Sequence, residues 1–277
     1  MKILVIGDAC TDVFVYGSCD RLSPEAPTAV LKPIEIKKNP GMAGNVEVNL
    51  RAMGYDAILI SNMKTVGKRH HVDKPLYEKQ EIIKTRYVDK NSNYILLRVD
   101  ENDHVDKSCT IKMLDRLINY GAHSDLGQFD LVIVADYNKG FLTEELMTYI
   151  FENSRCSFLD TKRKIGEWAE AVTYIKINNN EFHSYDHQDF LTSKKMLNKV
   201  IVTEGSGGCR ISNEYRYVNK VDIKDVVGAG DTFMAAIATN FAESGNIFKA
   251  MEFANKCARE VVQQKGVVAI KNAVHRG

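Results

Sequence analysis

A chain of 277 residues with 44% apolar and 26% charged residues is long enough to bury a large core, in one large α/β domain or two smaller ones. A formal net charge of +1 gives no electrostatic reason to expect nucleic acid as the main partner, and the basic cluster at 67–74 is interpreted as a solvated loop. The six cysteines form no C-x-x-C pair, and no apolar run approaches the roughly 20 residues that span a bilayer. The apolar run at the N-terminus, MKILVIGD, is too short for a signal peptide, so we expect a cytoplasmic protein that does not bind a membrane.

Short runs rich in valine and isoleucine recur along the chain and are predicted strands. Runs that are apolar on both faces suit the strands of a parallel sheet that helices cover on either side. These runs are KILVIGD (2–8), AILISN (57–62), DLVIVADY (130–137), TYIKIN (173–178) and KVIVTEG (199–205).

Helical patterns alternate with these strands. Apolar residues three or four positions apart predict helices that end near a glycine or begin at a capping residue. The patterns are Val46, Leu50 and Met53 before Gly54; Ile111, Leu114 and Leu117 before Gly121; Thr143 with Leu146 and Ile150; and Ile247, Met251, Ala254, Ala258 and Val261 before Gly266. The alternation predicts an α/β fold with a doubly wound, mostly parallel central sheet flanked by helices, formed by residues 1–277 as one domain.

Two stretches interrupt the alternation. Residues 13–36 hold two β-type runs around a turn that contains proline, and residues 82–100 are typical of a hairpin with KNSN at its turn. Each stretch lies between elements of the main sheet. Together they predict a small sheet that stands off the main one as a lid.

A glycine-rich turn, DVVGAGD at 225–231, leads directly into a helical pattern of Phe233, Ile237 and Phe241. Such a turn leaves backbone N–H groups unpaired at the positive end of the helix dipole, which suits an anion such as a phosphoryl group. Asp231 at this position is either a helix cap or a base that takes a proton from a substrate hydroxyl. Capping alone does not explain three consecutive small residues at 228, 229 and 230.

Further polar loops follow other strands, at the sheet edge where α/β folds bind ligands. A second glycine-rich loop, TEGSGG at 203–208, is either a ligand loop or a plain turn between strands. Asn178 and Glu181 are either ligands of Mg²⁺ through water or a cap and first-turn residue of a short helix. Asp8 and Asp12 follow the first strand, and the turn PGMAGN at 40–45 opens the next helix.

These motifs, in this order, resemble those of the ribokinase family of sugar kinases, the phosphofructokinase B group. The turn at 225–231 is similar to the family signature, T-x-G-x-x-G at 203–208 to its nucleotide loop, and N-x-x-E at 178–181 to its magnesium motif. Other segments resemble the branch of D-glycero-β-D-manno-heptose 7-phosphate kinases. They are VIGDACTD (5–12), RLSPEAPTAVLK (21–32), PGMAGNVEVNL (40–50), RVDEN (98–102), ADYNKG (135–140), DTK (160–162) and FAN (253–255).

The resemblance implies ATP-dependent transfer of a phosphoryl group to a sugar hydroxyl, which in that branch is the anomeric hydroxyl and gives a 1,7-bisphosphate. It implies that Asp231 is the general base and that the backbone of Gly228, Ala229 and Gly230, with that of Asp231, forms the anion hole. It also implies Asn178 and Glu181 at a water-mediated Mg²⁺; Thr203, Gly205, Gly208, Asn255 and Lys162 at the nucleotide; and Asp8, Asp12, Gly41, Asn45, Lys84, Arg98 and Lys139 at the sugar or its phosphate. A monovalent cation near Asp225 is left open, and lids that pair between subunits make a homodimer the expected assembly.

Three departures from the family bear on the substrate. Gly41-Met42 stands where the family has two adjacent glycines, so we expect Met42 to reshape the sugar pocket. The stretch 62–83 is short and lacks the family's G-x-D segment. No H-x-G-H motif is present, so a separate protein is expected to perform any nucleotidyltransferase step. The alternatives are a ribokinase-type kinase for another sugar or a nucleoside, and a non-catalytic sensor of nucleotides or sugar phosphates.

Overall fold

The computed structural model describes residues 1–63, 80–118, 125–184 and 188–270. The basic cluster at 67–74, most of the shortened stretch 62–83 and Gly121 lie outside these residues. The strands are β1 (Ile3–Gly7), β2 (Ala9–Leu22), β3 (Ala29–Met42), β4 (Ala57–Ser61), β5 (Ile82–Asp89), β6 (Ile95–Glu101), β7 (Leu131–Asp136), β8 (Ser157–Thr161), β9 (Tyr174–Asn178), β10 (Val200–Thr203), β11 (Cys209–Ile211) and β12 (Glu214–Arg216). The helices are α1 (Ala43–Ala52), α2 (Ile111–Ile118), α3 (Glu144–Asn153), α4 (Asn179–Ser184), α5 (Gln188–Leu191), α6 (Ala229–Ser244) and α7 (Ile247–Val262).

The main sheet has the strand order β12-β11-β10-β9-β8-β7-β1-β4. Its strands from β10 to β4 are parallel, and β11 and β12 add an antiparallel hairpin at one edge. Apolar residues of α1, α6 and α7 pack on one face, and those of α2 and α3 pack on the other. This arrangement confirms the predicted doubly wound α/β fold, because strands buried on both faces are stable only between two layers of helices.

Three strands of this sheet were not predicted. Strand β8 lies between β7 and β9 and is buried along its whole length, although its last two residues are Asp160 and Thr161. Strands β11 and β12 are only three residues long, too short for a periodic pattern to identify. The loop at 203–208 therefore connects two antiparallel strands, which agrees with its interpretation as a turn between strands.

The second sheet has the strand order β3-β2-β5-β6. Only Asp8 separates the end of β1 from the start of β2, and β3 leads directly into α1, so this sheet is attached at the carboxyl end of β1. Phe14, Tyr16 and Val88 form a small apolar cluster that packs against Val227, in the turn before α6. The predicted separate small sheet is thus confirmed, and its strands span 9–42 and 82–101.

The helix ends follow from local chemistry. Thr143 caps α3, its side-chain oxygen accepting a hydrogen bond from the backbone N–H of Leu146 at 3.2 Å. Asn246 caps α7 in the same way, and α6 ends at Gly245 in the left-handed conformation. Of the helices in the described ranges, none is both long and apolar enough to cross a bilayer.

Candidate active site

Several polar residues singled out in the sequence, together with Tyr137, meet at the carboxyl edge of the main sheet. Asp8 follows β1, Tyr137 follows β7, Lys162 follows β8, and the first turn of α6 faces them. Parallel strands end at the same edge, so residues far apart in the sequence are brought together there.

The glycine turn before α6 requires glycine at its first position. Gly228 has a φ of 83°, and a Cβ at this residue would lie 2.8 Å from Nδ2 of Asn45. The first intrahelical bond runs from the N–H of Thr232 to the carbonyl of Gly228 at 3.0 Å, so the amides of Gly230 and Asp231 precede it. The N–H of Ala229 instead donates to Val226 at 3.2 Å. The turn therefore offers an anion the amides at 230 and 231 more readily than the one at 229.

The carboxylate of Asp231 is 7% exposed and is held by two neutral donors. Tyr137 donates its hydroxyl to Oδ1 at 2.7 Å, and Asn45 donates Nδ2 to Oδ2 at 2.8 Å. Burial raises the pKa of Asp231 from 3.8 to about 6, while the bonds from Tyr137 and Asn45 limit the rise. A carboxyl group with such a pKa is ionised at neutral pH and accepts a proton more readily than an ordinary aspartate.

A group of buried charges lies beside Asp231. Lys176 on β9 donates Nζ to Oδ2 of Asp160 at 2.6 Å, and Nζ of Lys162 lies 3.5 Å from Oδ1 of the same carboxylate. Burial alone would raise the pKa of Asp160, but Lys176 and Lys162 outweigh it and lower the pKa. A Cβ at Gly230 would lie 3.2 Å from Nζ of Lys176, so this ammonium sits directly against the glycine turn.

Asn178 and Glu181 form a reciprocal cap at the start of α4. The N–H of Glu181 donates to Oδ1 of Asn178 at 2.8 Å, and the N–H of Asn178 donates to Oε2 of Glu181 at 2.9 Å. The capping interpretation of Asn178 is therefore seen in the structure. The other oxygen of Glu181 accepts a hydrogen bond from Lys162.

The same cluster fits a hydrated Mg²⁺ by its chemistry, because carboxylate oxygens are the ligands that this ion prefers. Asp160 Oδ1 is buried and accepts no hydrogen bond within the described ranges, although Nζ of Lys162 lies 3.5 Å away, so this oxygen can still accept a hydrogen bond from a water bound to the ion. Asn178 and Glu181 would reach the ion through water, since their first-turn oxygens already cap α4.

A cavity of about 460 Å³ lies between the loop after β10 and helices α6 and α7. Four of the five residues predicted to bind the nucleotide line it: Thr203, Gly205, Gly208 and Asn255. Gly208 has a φ of 98°, and a Cβ there would overlap the carbonyl of Arg216, while Asn255 donates Nδ2 to that same carbonyl at 2.8 Å. Lys162 lies outside this cavity, with Nζ 5.4 Å from the ring centre of Tyr137.

Three charged residues predicted to contact the sugar or its phosphate, Asp12, Lys84 and Arg98, lie on the second sheet, and a fourth, Lys139, lies beside them in the loop after β7. Asp12 pairs with Arg86, Arg98 donates two hydrogen bonds to Asp100 at 2.7 Å, and Lys139 pairs with Asp103. Lys84 Nζ lies 4.0 Å from Asp103, and burial lowers the pKa of Lys84. Each cation thus has an aspartate counterion.

Gly41 lies against this group for a steric reason, because a Cβ at 41 would overlap the carboxylate of Asp12 and Sγ of Cys10. The next residue, Met42, has a φ of 57°, a conformation that favours glycine and is strained for methionine. Its side chain is 4% exposed and belongs to the apolar core with Leu4 and Ile60. The positive φ at position 42 explains why the family has glycine there, and the side chain of Met42 extends into the core.

The carboxylates of Asp8 and Asp225 accept hydrogen bonds from backbone N–H groups. The carboxylate of Asp8 is fully buried and accepts hydrogen bonds from the N–H groups of Tyr137, Lys139 and Phe141 at 2.8, 3.1 and 3.2 Å. Burial raises the pKa of Asp8 to about 6. Asp225 accepts from the N–H groups of Val227 and Gly266 at 2.9 and 3.1 Å. Both aspartates fix the loops beside the site, and the predicted sugar contact of Asp8 stays a prediction.

Sequence reasoning had assigned no role to four residues of the site: Arg86, Tyr137, Asp160 and Lys176. One signal was available for Lys176, since a lysine in the middle of a buried apolar strand needs a counterion. Tyr137 and Asp160 lay in the segments ADYNKG and DTK, which had been noted only for their resemblance.

A doubly wound sheet with a small second sheet, and a glycine turn that opens a helix beside a buried aspartate, define the ribokinase-like class of α/β proteins. The family model of pfkB carbohydrate kinases matches residues 2–273, and the chain belongs to this family. The match confirms the predicted family and the predicted type of enzyme, an ATP-dependent carbohydrate kinase.

The chain is similar to curated relatives and to solved structures over nearly its whole length. It is 30% identical to the bifunctional protein HldE of Nitratiruptor sp. over 96% of this chain and 62% of that protein, and 28% identical to that of Campylobacter jejuni over 97% and 62%. The chain thus spans less than two thirds of the length of these relatives. A ribokinase of Thermotoga maritima has the same fold, with a TM-score of 0.68 at 19% identity over 98% of this chain and 97% of that one.

Proposed function

We propose that the chain phosphorylates the anomeric hydroxyl of D-glycero-D-manno-heptose 7-phosphate with MgATP, which gives heptose 1,7-bisphosphate. One observation carries the kinase chemistry: the buried, doubly hydrogen-bonded carboxylate of Asp231 lies in the first turn of α6, next to amides that precede the first intrahelical bond. The choice of a sugar phosphate follows from the cations on the second sheet and from the segments that resemble heptose 7-phosphate kinases.

In the proposed reaction, Asp231 takes the proton of the acceptor hydroxyl while the hydroxyl oxygen forms a bond to the γ-phosphorus of ATP. The bond between that phosphorus and the ADP oxygen breaks, and ADP leaves with the electron pair. The amides at 230 and 231 and the positive end of the α6 dipole stabilise the charge on the transferring group. Positioning and charge neutralisation are the main requirements of phosphoryl transfer.

The nucleotide occupies the 460 Å³ cavity in this proposal, with Thr203, Gly205, Gly208 and Asn255 at its wall. Lys162 pairs with Glu181 and Asp160, and its ammonium is assigned to the ATP phosphates. Asn178 and Glu181 hold Mg²⁺ through water, and the ion supplies positive charge to those phosphates when it is bound. A monovalent cation has no support from Asp225, whose two oxygens already accept backbone hydrogen bonds.

The 7-phosphate of the acceptor binds Lys84, Lys139 and Arg98 in this proposal. These cations are now paired with Asp103 and Asp100, and a phosphate dianion offers more charge and more acceptor oxygens than either carboxylate. Asp12 and Asn45 are placed at the sugar ring. Closure of the second sheet over the acceptor would exclude water, which competes as a phosphoryl acceptor.

The assembly and setting are part of the same proposal. Large apolar side chains of the second sheet are exposed, among them Ile36 on β3 and Leu97 on β6, and their burial between two copies would form a homodimer. Sedimentation velocity tests this, and a strictly monomeric enzyme at micromolar concentration would contradict it. The enzyme is placed in the cytoplasm, with a nucleotidyltransferase acting on its product.

The test is an ADP-release assay over a panel of sugars, sugar phosphates and nucleosides. The proposal expects the highest kcat/KM with the heptose 7-phosphate and ³¹P NMR signals of an anomeric phosphate in its product. Activity on unphosphorylated sugars or nucleosides alone would reject the acceptor and leave the kinase. Melting shifts with nucleotide but no turnover on any member of the panel would favour a sensor.

A further inference from the structure

The proposed base, Asp231 in helix α6, accepts a hydrogen bond from a residue in the loop after strand β7. Tyr137 follows β7, 94 positions before Asp231, and donates its hydroxyl to Oδ1 of Asp231 at 2.7 Å. Asn45 holds the other oxygen at 2.8 Å. A carboxylate with one donor on each oxygen cannot rotate without breaking a hydrogen bond, so its free lone pairs keep a fixed direction.

The tyrosine is itself anchored. Asp8 accepts the N–H of Tyr137 at 2.8 Å and the N–H groups of two further residues of the same loop. Gly140, in that loop, has a φ of 103°, and a Cβ there would lie 2.6 Å from the carbonyl of Val105. The backbone that carries the phenol is therefore determined by contacts outside the loop, and the phenol does not depend on Asp231 for its place.

We infer that Tyr137 is a positioning residue for phosphoryl transfer, whose hydroxyl orients the carboxylate of Asp231. This inference rests on the proposed function. It assigns the buried phenol a role that the segment ADYNKG did not reveal from the sequence.

The electrostatic surroundings agree with the geometry. Burial raises the pKa of Asp231, and the Tyr137 hydroxyl is the largest of the influences that lower it. The ionisable groups that face Asp231 are Asp160 on β8, which raises its pKa, Lys176 on β9, which lowers it, Cys10 on β2, and Tyr137 itself. Burial also raises the pKa of Tyr137 well above its usual value, so the phenol keeps its proton and stays a donor over the working pH range.

The first test is Tyr137→Phe, which removes the hydroxyl and keeps the ring. With ATP and the heptose 7-phosphate, kcat is expected to fall about 10- to 100-fold, the range of a lost hydrogen bond to a charged group. The KM for ATP is expected to stay within about twofold. The acid limb of the pH profile moves to higher pH, because a carboxylate that loses a donor is protonated more easily.

Tyr149→Phe is the matched control. Tyr149 donates its hydroxyl to a carboxylate too, that of Asp115 at 3.2 Å, but this pair joins α3 to α2 on the helical layer. Its removal is expected to leave kcat and the pH profile unchanged. An unchanged kcat and acid limb in Tyr137→Phe would overturn the inference.

A second measurement needs neither turnover nor a substitution of Tyr137. Replacing the tyrosines by 3-fluorotyrosine makes the phenol a stronger donor, and the pKa of Asp231 is expected to fall. Carboxyl ¹³C NMR measures it, with the signal assigned by its loss in Asp231→Asn. A pKa of Asp231 that moves neither with fluorotyrosine nor in Tyr137→Phe would overturn the inference. An Asp231→Asn enzyme with full activity would instead overturn the proposed base.

Discussion

The two ends of the candidate site hold their charges in opposite ways. At one end, the carboxylate of Asp231 is buried and accepts hydrogen bonds from two neutral groups, Tyr137 and Asn45. At the other end, Lys84 on the second sheet and Lys139 in the loop after β7 are both paired with Asp103, whose side chain is 38% exposed.

The difference indicates which end depends on a ligand. Neutral donors orient the carboxylate of Asp231, the proposed base, without cancelling its charge, so that end is arranged before any substrate binds. The aspartates at the other end neutralise the lysines, and the substrate phosphate of the proposed reaction would have to exchange with them. Solvent and salt weaken pairs at the exposed end more than at the buried end.

The largest expected effect comes from the buried end. Asp231→Asn keeps the shape of the side chain but removes the proton acceptor, and kcat is expected to fall about 10²- to 10⁴-fold. Binding of ATP is expected to persist, because the cavity wall at 203–208 does not include Asp231. Initial rates and isothermal titration with ATP measure the two effects. A variant with the kcat of the wild type would remove Asp231 from the mechanism.

Substitutions at the exposed end are expected to change the KM for the sugar phosphate. Lys84→Met removes one cation of the proposed phosphate site, and the KM for the heptose 7-phosphate should rise about tenfold or more, as for a lost charge-assisted hydrogen bond. The KM for ATP and the kcat should stay near those of the wild type. Lys90→Met, at an exposed turn of the same sheet, is the control. An equal rise in KM with an unphosphorylated sugar would mean that Lys84 does not bind the phosphate.

The sequence predicted the frame of the site better than its contacts. Buried strands such as β1 and β7 have an apolar pattern that is independent of their neighbours, so they were found, as was the glycine turn that starts α6. The contact of Asp231 with Asn45 spans 186 positions and depends on how α1 and α6 pack. Nothing local in either segment encodes that packing.

Residues with two possible roles show a second limit of the sequence. Asn178 and Glu181 have the spacing of a capping box and of a magnesium motif. Their hydrogen bonds show the capping box, whereas the magnesium role stays a prediction. Met42 was expected to reshape the sugar pocket because glycine stands there in the family. Its φ of 57° is a conformation that favours glycine, but its side chain lies in the apolar core.

The last expected effect is on the free energy of unfolding, and it measures what the burial of the proposed base, Asp231, costs in stability. Burial raises the pKa of Asp231 from 3.8 to about 6, so the folded state binds the proton more tightly than the unfolded chain does. Stability from this group is therefore present in full below about pH 4 and is lost as the pH rises through about 6. Two pKa units correspond to about 3 kcal/mol at most.

Asp231→Asn does not titrate, so it should match the stability of the wild type near pH 4 and exceed it by about 1 to 3 kcal/mol at pH 8. Urea unfolding of both proteins at several pH values measures the difference. A gain that is equal at pH 4 and pH 8 would show that the amide packs better and that the charge costs nothing. A gain confined to pH above about 6, with turnover lost, would mean that the enzyme keeps a destabilising buried charge at the site where the proposed reaction needs a base.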